Sequence, residues 1–132
     1  MKNKGFSLVE LIVVVLILGI ISVALAPQVM KWVGTSRDNS DTYVAKSIKA
    51  AALTAVAEYE SLGNTLHDGK YNVTRTGLAT VGTDANAGLT SVLATVMGNE
   101  YPKVQHQDGK VFQIQFWQSG KKVEVVITSG TY

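Results

Sequence analysis

Residues 1–26 read MKNKGFSLVELIVVVLILGIISVALA, and two opposite characters meet inside them. Met1 to Gly5 is short and cationic, with Lys2 and Lys4. Phe6 to Ala26 is almost wholly apolar, and its one charge is Glu10. At about 1.5 Å per residue these 21 residues make a helix ~31 Å long, enough to cross a hydrocarbon core. The flanking lysines favour keeping the N-terminus in the cytoplasm and exporting the rest.

A cleavable secretory signal carries a shorter apolar run that ends in a small-residue site. Ala24 and Ala26 make a weak version of that site, but the run is long enough to be an anchor. An ordinary anchor leaves Glu10 unexplained. A carboxylate in hydrocarbon costs about 2.5–3.5 kcal/mol on insertion scales, so an acid one turn into an apolar run points to function.

The segment Lys4-Gly5-Phe6-Ser7-Leu8-Val9-Glu10 resembles the processing site of the type IV pilin family, which includes the pseudopilins of type II secretion and competence systems. The resemblance implies that a prepilin peptidase cuts between Gly5 and Phe6 and methylates the new amine of Phe6. Ser7 stands where threonine is more usual. Glu10 falls on the family's assembly glutamate. Gly19 and Pro27 fall on the helix-weakening glycine and on the proline that bends the N-terminal helix. The likeness rests on motif from Lys4 to Pro27 and on architecture beyond.

The implied fold is α+β: a long N-terminal helix, half hydrophobic and half amphipathic, packed on a small C-terminal antiparallel sheet. The implied organisation is a leader over 1–5, a transmembrane and fibre-core helix over 6–30, and a globular head over 31–132. The implied function is structural. The subunit waits in the membrane, N-terminus inside, and is polymerised with its own copies into an extracellular filament by an assembly ATPase and a platform protein. A pseudopilin, and a membrane-anchored adhesin or binding module that never polymerises, stay open as alternatives. Motility, adhesion, DNA uptake and secretion are not distinguished, so a nucleic-acid partner is left open.

Composition narrows the chemistry. The chain has 132 residues and no cysteine, which excludes disulfides, thiolate metal sites and thiol nucleophiles. Many members of the family close a C-terminal loop with a disulfide, so its absence leans towards a Gram-positive source. Twelve basic residues stand against ten acidic ones, and loss of the leader removes two lysines. The mature chain is therefore balanced and offers no strongly basic surface to nucleic acid. His67 and His106 are far apart in polar surroundings, without converging donors for a metal. Asp84 and Asp108 lie outside any aspartate-rich calcium loop, a site that type II pseudopilins often carry. Asp38 and Asp41 read as a solvated helix face. No phosphate-cradling glycine motif or G-x-S-x-G is present, so the reading is a non-enzyme without cofactor or metal.

In the head, Gln28 to Leu62 reads as helix. Val44, Ile48, Ala51, Ala52, Ala55, Val56, Tyr59 and Leu62 form one apolar face at three- and four-residue spacing. Gly63-Asn64 is its expected stop, and Gly34 costs about 1 kcal/mol relative to alanine. Residues 63–100 form the connecting region. It holds a short strand near Tyr71 and an amphipathic helix on Leu89, Val92, Leu93, Val96 and Met97, with Asn86 as candidate N-cap and Gly98 as stop. The sequon Asn72-Val73-Thr74 reads as a chance match.

Residues 101–132 read as a three-stranded meander. A hairpin at Ser119-Gly120 pairs Phe116 with Val123, Ile114 with Val125 and Phe112 with Ile127 on one apolar face. A turn at Gln107-Asp108-Gly109, with Gly109 left-handed, sets Val104 opposite Phe112. Trp32 reads as an interfacial anchor, and Trp117 as an outer-face residue able to form an aromatic patch with Tyr101 or Tyr132.

Overall fold

The computed structural model describes residues 5–82 and 86–131. Four residues of the expected leader, Met1 to Lys4, lie outside that range, as do Asp84 and Tyr132. The element order is α1 (Leu8–Ser61), β1 (Gly69–Thr74), β2 (Gly77–Thr80), α2 (Leu89–Val96), β3 (Lys110–Trp117) and β4 (Lys122–Ser129). This is the α+β architecture expected from the sequence: one long N-terminal helix and a small antiparallel sheet. The chain divides into two compact units, Met1–Ser36 and Arg37–Tyr132.

The described part of the first unit is almost entirely helix. α1 continues through Gly19, Pro27 and Gly34 without a break. Pro27 has no N–H to give the Val23 carbonyl, so one rung of the ladder is missing there. Ser22 Oγ donates to the Leu18 carbonyl at 2.7 Å and Thr35 Oγ1 to that of Lys31 at 3.1 Å, so both hydroxyls are satisfied within the helix. The apolar side chains from Leu8 to Leu25 are exposed on all sides of the helix.

In the second unit the same helix acquires a direction. Ile48, Ala52, Ala55, Val56 and Tyr59 are buried, and Val44 and Ala51 half-buried. Leu62, expected to extend this face, is 66% exposed. The Leu62 N–H still bonds the Glu58 carbonyl, but the helix ends at Ser61 and the chain turns at Gly63, whose N–H reaches the Glu60 carbonyl, so the buried stripe stops at Tyr59.

The sheet has the order β2-β1-β3-β4, every neighbouring pair antiparallel. The expected register of the last hairpin is present: Phe116 faces Val123, Ile114 faces Val125 and Phe112 faces Ile127. Its connection is longer than two residues. Gln118, Ser119 and Gly120 all take positive φ between the paired Trp117 and Lys122. At Gly120 any Cβ would collide with Leu66, so that turn must pass close over the core. Phe112, Ile114 and Phe116 are fully buried and join the helix face, Tyr71 and Val73 in one cluster.

The expected meander is corrected in its first strand. β3 pairs with β1, Tyr71 opposite Ile114, and not with a strand around Val104. Two causes are visible. Pro102 removes a ladder donor. The backbone N–H groups of Gln105 and His106 are already donated to Asp41, at 2.7 and 2.9 Å. Val104 is still buried, and Gly109 is left-handed as expected, but they belong to a loop laid on the helix. The weak alternation at Tyr71 therefore marked a central strand, and the connecting region supplies half of the sheet.

α2 also differs at one end. Its N-cap is Gly88, without a side-chain bond. Asn86 is buried instead, and its amide clasps the main chain of His67: Oδ1 accepts from the N–H at 2.7 Å and Nδ2 donates to the carbonyl at 2.9 Å. The C-terminal end is as expected. Gly98 is left-handed, its N–H bonds the Thr95 carbonyl, and the Asn99 N–H bonds that of Ala94, the two bonds of a Schellman motif.

Candidate functional site

The residues expected to carry function cluster at the start of α1. Helix begins at Leu8, which makes Ser7 the N-cap and Glu10 the third helical residue. Ser7 Oγ accepts from the Val9 N–H at 3.3 Å, and Glu10 Oε2 accepts from the Ser7 N–H at 2.8 Å. The sequence Ser-Leu-Val-Glu is thus a capping box, in which two otherwise orphaned donors are satisfied reciprocally. The spacing S-x-x-E ahead of an apolar run was a legible signal for it. The carboxylate also complements the positive end of the helix dipole.

This geometry matters for the residue before it. Glu10 holds the N–H of Ser7, so its carboxylate sits beside the peptide that links Ser7 to Phe6. A carboxylate offers about four lone-pair sites. Glu10 can therefore cap its own helix and still accept a charged amine from elsewhere. Phe6 is 82% exposed, and Gly5 lies in extended, exposed chain ahead of the helix. A Cβ at Gly5 would meet nothing within 4 Å. The chain's own packing therefore does not require glycine there. Gly19 gives the same result: added bulk meets nothing within 4 Å.

In the second unit the polar residues are structural. Asp41 is 2% exposed and clamps the 101–109 loop to the helix through Gln105 and His106. This corrects the reading of Asp41 as a solvated residue. Asp38, one turn earlier, is exposed and lies 3.5 Å from His106 Nδ1. The missed signal was position: Asp41 stands three residues before Val44 and seven before Ile48, on the buried stripe itself. On the outer sheet face Gln113 donates to Asn72 Oδ1 and Gln115 to Gln113 Oε1. That ladder lets Gln113 be buried opposite the apolar face. Trp117 is half-buried with the Lys122 ammonium over its ring, while Tyr101 lines a groove beside α1. No cluster of metal-ligating side chains occurs among the described residues.

The family model of the prokaryotic N-terminal methylation motif matches residues 1–26, a motif characteristic of type IV pilins and pseudopilins. No curated protein and no solved structure matched the chain. The motif supports a type IV pilin-like or pseudopilin precursor. It implies prepilin-peptidase processing and pilus assembly in general, and it points to a structural protein. The apolar helix that follows is long enough to cross a membrane, consistent with anchoring before assembly.

Proposed function

We propose that this chain is the structural subunit of a type IV pilus. It is cut between Gly5 and Phe6, methylated on Phe6, held in the membrane by its first helical half and polymerised into an extracellular fibre. The observation that carries this reading is Glu10, an acid at the start of an apolar helix, four residues from the new amine and bonded to the Ser7 N–H next to it. After cleavage both groups enter an apolar layer. Pairing them across two subunits strengthens their attraction in low dielectric, and leaving either alone costs several kcal/mol. One contact would thereby reward correct axial register and penalise misplaced subunits. Gly19 and Pro27, one without a side chain and one without an N–H, give α1 two places to bend as copies pack. An assembly ATPase and a platform protein would drive the process from the membrane. The reading gives the chain no catalytic role.

The test uses three variants. Glu10→Ala removes both the cap and the charge, Glu10→Gln keeps a capping acceptor and removes the charge, and Ser7→Ala weakens the cap alone. Glu10→Ala and Glu10→Gln should be cleaved, inserted and folded, yet yield little fibre, while Ser7→Ala assembles. Wild-type amounts of fibre from Glu10→Ala alone would show that the carboxylate only reaches towards the interface.

A further inference from the structure

An open groove of about 490 Å³ runs between the second half of α1 and the end of α2. Its floor is apolar, formed by Val44, Ile48 and Ala51 on one side and Val96, Met97 and Pro102 on the other, with Glu100 in the lining. The sheet covers the rest of the helix stripe and leaves this part open. The first unit carries an apolar surface of its own that needs a partner. About 20 helical residues cross the hydrocarbon, so a span that begins at Leu8 ends near Pro27. Yet Val29, Met30, Trp32 and Val33 follow it, 47%, 78%, 65% and 45% exposed. Val29, Val33 and Arg37 recur every four residues and form a single ridge, with Trp32 beside it.

We propose that the groove seats this ridge from a second copy of the chain. Val29 and Val33 fill the floor between Ile48 and Met97, and the Arg37 guanidinium meets the Glu100 carboxylate. Neither Arg37 nor Glu100 has an ion-pair partner among the described residues. The occupant is identified by two matching features. A ridge at four-residue spacing is what a groove beside a helix accepts, and the ridge carries one cation a turn beyond its second valine where the groove lining carries one acid, Glu100. Before assembly Trp32 holds the same segment at the membrane interface. Polymerisation would move it from lipid headgroups to protein. The inference rests on the filament reading, since only a fibre brings many such helices beside many such heads.

The chain has no cysteine, so introduced thiols report without background. Full-length Val33→Cys and Met97→Cys chains, one of them tagged, are produced together, assembled, and oxidised in sheared fibres. The mixed disulfide should form well above that of Val33→Cys with Ala79→Cys, an exposed position on β2. In parallel, Glu100→Arg should lower fibre yield by about tenfold, as like charges at an interface demand, and Glu100→Arg with Arg37→Glu should restore it. Fibres that show no mixed disulfide above the control, with Glu100→Arg assembling normally, overturn the inference and leave the filament reading standing. Protection of the Met97→Cys thiol by lipid in fibres, with no mixed disulfide, assigns the groove to lipid and also overturns it. No fibre from the unsubstituted chain in its native host overturns the filament reading and this inference together.

Discussion

Two halves of one helix behave in opposite ways. Up to Ala26, α1 is apolar on nearly every side, and its large apolar side chains are exposed. From Arg37 it is polar on most sides and buries a stripe against the sheet. The helix runs through both, with one rung of its ladder missing at Pro27. The difference teaches that burial within a chain needs contrast between helix faces. A uniformly apolar helix gives packing no direction, which suits a bilayer and is consistent with membrane anchoring. A striped helix selects one partner, and here that partner is Phe112, Ile114 and Phe116.

If that contrast is right, the halves should break separately. The largest effect follows removal of the first. A chain beginning at Lys31 should leave the membrane fraction and sediment as a soluble, folded monomer. Retention in the membrane, or an unfolded spectrum, would mean that the halves depend on each other. The next effects concern the stripe. In that soluble chain Phe116→Ala should cost roughly 3–5 kcal/mol by urea unfolding, because Phe116 is fully buried and meets Tyr71 edge to face. A loss below about 1 kcal/mol would mean that the wrong sheet face has been assigned to the core. Asp41→Ala should cost roughly 1.5–3 kcal/mol, since two backbone donors lose a charged acceptor. Asp41→Asn should cost less, because its amide oxygen still accepts. The smallest effect sharpens the contrast from the other side. Val13→Ala in the full chain should change head stability by less than about 0.5 kcal/mol.

Much of this was legible in the sequence, for identifiable reasons. The helix stripe and the β3–β4 register were readable because both alternate sharply and a one-residue slip would exchange Phe for Gln. The Gly98 stop was readable because its chemistry is local. The misses were long-range. Asn86 lies close before α2, where a capping residue is expected, but its amide is used 19 residues away on His67. Asp41 looked solvated because its partners lie 64 and 65 residues on. Once Asp41 takes the donors of Gln105 and His106, the segment at Val104 cannot pair, and β1 takes its place. At the N-terminus the motif was legible over Lys4 to Glu10, within the residues 1–26 that the methylation-motif model matches. The capping box was equally present as S-x-x-E, but it is a weak pattern beside a strong one.

The most direct measurement is the mass of the protein purified from its native host. The expected mature chain begins at Phe6, lacking Met1 to Gly5 and carrying one added methyl on its amine, while Gly5→Val leaves the precursor intact in the membrane. A native protein that still begins at Met1 would contradict the processing on which the filament reading depends.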